Sequence, residues 1–182
     1  MIQHPQRIPF RDLDSLAPDD RDYAERGRIN GEILNLFKVL MNHPELARRW
    51  GVFANHILRK QTLPPREREM LILRIGWLNQ ARYEWEQHVR IAKASGLSAD
   101  EIDRIAQGPG AGWNAVDAAL LQAADDLFTN SIVAPERWDL LKAHFSTEQM
   151  MDLVFTIGQY NLVSWALNSF GVPLDADLEA AP

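Results

Sequence analysis

The chain contains no cysteine. That absence removes disulfides, thiolate metal sites, thiol nucleophiles and dithiol redox chemistry in one step. Basic residues are in deficit, with 19 Lys+Arg against 25 Asp+Glu and a formal net charge of −6. A protein that tracks a phosphate backbone needs a basic stripe, so no nucleic-acid partner is expected. No apolar run approaches the roughly 18 residues of a membrane span, and no charged-then-apolar start reads as a secretory leader. Alternating strand patterns of useful length are also missing. The expectation left is a soluble, cytoplasmic protein without a membrane partner.

What is present is 182 residues, 46% of them hydrophobic, which suits one globular domain with an arm. Residues 1–19 hold Pro5, Pro9 and Pro18 and lack a helical period, so they are expected to form an extended N-terminal arm. Residues 20–172 read as a single all-α domain. Residues 173–182 are acidic and Ala-rich, a C-terminal tail.

Within the domain a first helix is predicted over 20–41, ending before Asn42-His43-Pro44 because a residue preceding proline avoids helical geometry. Pro44 suits the first turn of a second helix, whose Leu46, Trp50, Phe53, Ala54, Ile57 and Leu58 follow a 3.6 period. Leu63-Pro64-Pro65 separates this from a third helix at about 66–78, and a fourth runs over about 81–95 with Gly96 as its cap. Ser98-Ala99-Asp100-Glu101 is a capping box. Further helices are predicted over 114–129, 135–145 and 147–169. A faint echo at a shift of 48 residues sets Glu69 on Asp117, Leu73 on Leu121, Ser98 on Ser146 and Glu101 on Gln149, as a duplication leaves.

The third helix is apolar nearly all round, so it should be central and buried. Glu69 shares its face with Ile72, Leu73 and Gly76. A buried carboxylate must meet a partner, a proton or a ligand, and Arg66 or another arginine is the structural candidate. On the fourth helix Ala81, Trp85, His88 and Ala92 form an inward stripe, with Glu84 one turn below His88. A carboxylate there fixes the imidazole tautomer and keeps it basic, as in a general base working near neutral pH. The alternative is a core histidine satisfied by Glu84. Glu69, Glu84 and His88 do not have the spacing of a Glu-x-x-His or HExxH metal motif, so no metal is expected. The run from Gly108 to Gly112 lacks the Lys-Ser/Thr of a phosphate loop. Gln159, Tyr160, Asn161 and Asn168 on the last long helix must be paired or line a cavity.

Residues 64–102 resemble the carboxymuconolactone decarboxylase and alkylhydroperoxidase-D-like superfamily. The resemblance is carried by Pro64-Pro65-Arg66-Glu67-Arg68-Glu69, Leu71-Ile72-Leu73-Arg74, the run Tyr83-Glu84-Trp85-Glu86-Gln87-His88-Val89-Arg90-Ile91-Ala92, and Gly96-Leu97-Ser98 with Glu101-Ile102. It implies a compact multi-helix domain with the helix at 66–78 packed on that at 81–95. It also implies a homo-oligomer, trimer or hexamer, and acid–base chemistry at Glu69 and His88 with Tyr83 between them. Peroxidase members of the superfamily carry a Cys-x-x-Cys before this histidine. Here Ala81 and Glu84 occupy those positions, so thiol peroxidase activity is excluded.

What the resemblance leaves is the decarboxylase branch, whose members need no cofactor. The expected function is a cofactor-independent lyase acting on a small cyclic carboxylic acid or lactone. His88, Glu69 and Glu84 are the catalytic candidates. Arg74 or Arg82 would bind a substrate carboxylate bidentately, and Tyr83, Trp85 and Trp77 would wall a pocket for the ring. The competing expectation is a non-catalytic binding or structural homo-oligomer with Glu69, Glu84 and His88 as a closed polar network.

Overall fold

The structure is a computed structural model describing residues 1–29 and 31–179. It is all-α apart from one two-stranded hairpin. The order is α1 (Pro18–Glu25), β1 (Arg28–Ile29), β2 (Glu32–Ile33), α2 (Asn35–Leu40), α3 (Pro44–Arg59), α4 (Pro65–Leu78) and α5 (Arg82–Ala94). There follow α6 (Ala99–Gln107), α7 (Ala115–Asn130), α8 (Pro135–Lys142), α9 (Thr147–Phe170) and α10 (Ala176–Glu179).

α4 is the axis of the fold. Met70, Leu71, Ile72, Leu73 and Ile75 have no exposed surface, each burial contributing about 1.5–3 kcal/mol. Its faces serve two clusters. Leu71, Ile72 and Ile75 meet Leu120 and Ala124 of α7 and Leu153 and Ile157 of α9. Met70 and Leu73 meet Ala92 of α5 and Ile102 and Ile105 of α6. The expected capping box forms at α6, Ser98 with Glu101, and a second is found at α9, Ser146 with Gln149. Of the positions paired by the 48-residue shift, Ser98 and Ser146 are both N-caps, whereas Glu69 is the fifth residue of α4 and Asp117 the third of α7.

The first helix departs from expectation. Residues 20–41 are not one helix but α1, the hairpin and α2. Gly27 breaks the run: a Cβ there would overlap the Phe37 ring. Arg28 pairs with Ile33 and Ile29 with Glu32 in antiparallel register, and Gly31 has φ +87°. Asn30-Gly31 is a hairpin signal in sequence that the helical expectation for 20–41 did not include. Asn30 itself lies outside the described residues.

The arm is extended up to a 3₁₀ turn at Leu13–Ser15, and α1 starts at Pro18, two residues before the expected boundary. Ile2 bridges to Ala81, and the Arg7 and Ile8 amides both donate to the Phe170 carbonyl. The described part of the tail turns back into the body, and residues 180–182 lie outside the description. Asp175 is buried and accepts from the Asn35 amide at 2.7 Å, the Tyr83 hydroxyl at 2.6 Å and Gln87 Nε2 at 2.6 Å.

Gly171 joins both ends. It closes α9 in left-handed geometry, φ +65°, and a Cβ there would overlap the Pro5 carbonyl. Gly171→Ala is therefore expected to cost about 1–2 kcal/mol and to release the arm. Trypsin cleavage after Arg7 and Arg11 should accelerate; an unchanged rate would show that the arm is not held there.

Candidate active site

α4 and α5 lie against each other, with Gly76 facing the Glu84 side chain. Glu69 on α4, Glu84 and His88 on α5 are 0%, 4% and 6% exposed. The Glu69 Oε2 lies 2.7 Å from His88 Nδ1, and its Oε1 accepts from Arg68 Nε at 3.0 Å. On the other side of the ring, Glu84 Oε1 lies 3.0 Å from His88 Nε2. That contact is off the N–H direction, so Glu84 Oε1 is buried without a hydrogen-bond donor. Tyr160 of α9 meets the imidazole edge-on, centroids 4.9 Å apart at 83°.

Electrostatics decide the protonation of this group. Burial by itself would pull His88 down, but the carboxylates of Glu69 and Glu84 outweigh it and push the imidazole up to about 10. His88 is thus an imidazolium at neutral pH. A protonated imidazole is the form in which a histidine serves as a general acid. Two carboxylates then face one imidazolium and the Arg68 guanidinium, a balanced buried cluster. Burial and the same two carboxylates raise the Tyr160 phenol, which keeps its proton.

Arg66 is not the partner of Glu69. It reaches Asp117 of α7 at 2.9 Å and Glu101 of α6 at 2.6 Å, tying the start of α4 to both helices. Arg66, with the Ser98 amide, holds the Glu101 carboxyl down to about 2. Arg68 takes Glu69 instead. Spacing gave no sign of this, because adjacent helical residues do not face each other; the long guanidinium stem folds back to its neighbour. Tyr160 was legible only as a buried polar residue in need of company.

The substrate-binding candidates scatter. Arg74 is committed to Asp125, at 2.6 and 3.0 Å, and to the Ile105 and Ala106 carbonyls, so it is a buried structural cation. Tyr83 holds the tail through Asp175 and packs with Val39, Leu167 and Leu174, away from the place expected between Glu69 and His88. Arg82 is exposed beside a small cleft with Ile2, Gln3 and His4 under the arm. Trp77 and Trp85 do pack together, centroids 5.2 Å apart with the rings tilted at 59°, and both are half-buried. A broader cleft lies between α1 and α3, lined by Asp20, Tyr23, Arg26 and Arg48, and does not include His88.

Fold and site define an all-helical protein of the alkylhydroperoxidase-D-like type whose central cluster is built from carboxylates and an imidazole, with no thiol. Over residues 44–126, which include Arg68, Glu69, Glu84 and His88, the chain matches the model of the carboxymuconolactone decarboxylase family, and its fold is of the alkylhydroperoxidase-D-like kind.

Among solved structures, an alkylhydroperoxidase-D core, peroxidase-related protein of Ralstonia eutropha JMP134 is similar with a TM-score of 0.84 at 23% identity, covering 96% of this chain and 95% of its own. A peroxidase-related protein from Silicibacter sp. TM1040 gives 0.81 at 16% identity, covering 96% of each chain. The debrominase Bmp8, in complex with 2,3,4-tribromopyrrole, gives 0.76 at 16% identity, covering 95% of this chain and 93% of its own. At these identities the likeness is one of fold. No curated protein matches the sequence. Among the described residues no helix is long and apolar enough to cross a membrane.

Proposed function

We propose that the protein is a cofactor-independent acid–base enzyme, decarboxylase or lyase in type, acting on a small cyclic carboxylic acid or lactone. The observation that carries this reading is the unequal use of the two imidazole nitrogens. Nδ1 is committed to Glu69. Nε2 touches Glu84 without an aligned hydrogen bond, so its proton is the one free to be given away.

The chemistry follows from that proton. When the bond between a ring carbon and its carboxylate breaks, carbon dioxide leaves and the electron pair stays on the carbon, spread into an adjacent carbonyl. Nε2–H of His88 then protonates that carbon, and the neutral imidazole regains a proton from solvent. Glu69, held by Arg68, orients the ring. Glu84 favours the imidazolium and resets it after turnover. The half-buried Trp77 and Trp85 offer an apolar wall for the ring. Entry requires side chains around His88 to part, since that side chain is 8% exposed.

Such burial equally favours the second reading, a structural network in a non-catalytic oligomer. The two separate in an assay of small cyclic β-keto acids and carboxylated lactones in D₂O. The enzyme reading expects carbon dioxide release with deuterium at the vacated carbon. It also expects His88→Gln to slow turnover by about 10²–10⁴-fold, with unchanged helical content. Absence of release across the panel, or full turnover in His88→Gln, overturns it.

A further inference from the structure

Arg68 uses one edge of its guanidinium and leaves the other open. Nε donates to Glu69 Oε1 at 3.0 Å, and among the described residues neither Nη1 nor Nη2 meets an acceptor. Neither is sealed from solvent, since the buried unpartnered nitrogens and oxygens do not include them. Other arginines at comparable depth are fully engaged. Arg74 grips both oxygens of Asp125 and two carbonyls, and Arg137 grips both oxygens of Asp126. Arg66 reaches Asp117 and Glu101 through both of its Nη atoms. A largely buried cation with its Nη hydrogens unused is costly unless something accepts them.

This open edge belongs to the His88 cluster. Glu69 gives one oxygen to Arg68 Nε at 3.0 Å and the other to His88 Nδ1 at 2.7 Å. Tyr160, edge-on to His88, feels the Arg68 charge as well as those of Glu69 and Glu84, so guanidinium and imidazole border one side chain. Within the cluster the Arg68 side chain is the most exposed, 12% against 0%, 5% and 8% for Glu69, Glu84 and His88. A ligand approaching His88 therefore meets Arg68 early. The shape of the open edge selects what it meets. Two parallel N–H groups match both oxygens of a carboxylate, whereas the carbonyl of a neutral lactone or amide presents one oxygen. Repulsion is also smallest there, because both Glu69 oxygens already face cations and Glu84 lies across the imidazole.

We propose that the Nη1–Nη2 edge of Arg68 is the carboxylate-recognition subsite beside His88, selecting small carboxylate anions over neutral lactones. The proposal rests on the acid–base reading of the same site and narrows it: Arg68 anchors the acid group while the attached ring lies towards Nε2. Arg74 and Arg82, the arginines expected in this role, are respectively committed to Asp125 and set beside the arm.

The test needs no turnover. Cyclopentanecarboxylate and its primary amide, similar in shape and different in charge, are titrated into the full chain labelled at histidine. NMR follows the His88 ring signals, assigned with His88→Gln. The acid is expected to bind at least about tenfold more tightly than the amide and to move those signals. Arg68→Lys keeps the charge without the fork and should cut the preference severalfold. Arg68→Gln should abolish it, and Arg82→Gln should leave it unchanged. If the glutamine variant at position 68 fails to fold for want of a counter-charge to Glu69, the lysine variant carries the test. Equal affinity for acid and amide overturns the proposal, as does binding of neither. So does a preference undiminished in Arg68→Lys or lost in Arg82→Gln. Carbon dioxide release is scored separately. Turnover without an acid preference sinks the Arg68 subsite alone, and acid binding at His88 without turnover sinks the enzyme reading alone.

Discussion

Raising the pH from 7 towards 10 is expected to destabilise the protein by up to about 1.4 kcal/mol per pH unit, and His88→Gln is expected to remove most of that slope. In the unfolded chain the imidazole titrates near its ordinary 6.5; in the folded cluster it is pushed up to about 10. Between those values the folded state binds one proton more than the unfolded state, so stability falls as pH rises. The contribution is complete below about 6.5 and is lost as pH passes through about 10. Denaturant unfolding at pH 6, 7, 8 and 9 checks this directly, with the glutamine variant reporting every other titrating group. Parallel curves for the two proteins would show that His88 is not held charged by Glu69 and Glu84. His88→Ala is the harsher change. Both variants leave the two buried carboxylates with only Arg68 as counter-charge, a loss on the order of 3–5 kcal/mol, and alanine in addition removes the side-chain donor and the volume that glutamine keeps. Failure of the alanine variant therefore reports on folding as much as on chemistry, which is why the glutamine variant carries the activity test.

The parts of this cluster differ in how far the sequence revealed them. Glu84 and His88 stand four apart on one helix, a separation that brings side chains together whatever the fold. Glu69 was legible as a carboxylate on an all-buried helix, and the family resemblance joined it to His88. Arg68 was not legible, because a helical wheel places it on another side and only the bending of its side chain brings it to Glu69. Local signals also succeeded at the Ser98–Glu101 capping box and at the ends of α4 and α5. They failed at residues 20–41, where charged residues of good helix propensity masked two glycines. Tyr83 and Asp175 lie 92 positions apart, and Arg74 and Asp125 lie 51 apart; no periodicity can join them. The last long helix was recognisable as apolar, but which of its faces the body leaves open depends on where α3, α4 and α5 sit.

Arg74 is where the sequence reading and the structure predict opposite experiments. As a carboxylate-binding residue its removal would raise KM and leave the fold intact. The structure instead makes it the clamp of three helices. Its guanidinium leaves α4, meets both oxygens of Asp125 on α7, and donates to the Ile105 and Ala106 carbonyls in the last turn of α6. A cation there also opposes the negative end of the α6 dipole. Gly108, with φ +105°, lies against the guanidinium so closely that a Cβ would sit 3.1 Å from it, so the connection to α7 is shaped around this side chain. Arg74→Ala is therefore expected to cost about 3 kcal/mol, below the upper range for a buried pair because Asp125 is 30% exposed and water can reach it. For a chain of this length that is a fall in Tm of roughly 6–12 °C. Arg74→Lys should recover less than half, since an ammonium cannot hold both carboxylate oxygens and two carbonyls in one plane. An alanine variant that melts with the wild type would return Arg74 to the pool of substrate ligands. A large fall in Tm identifies it as a structural cation.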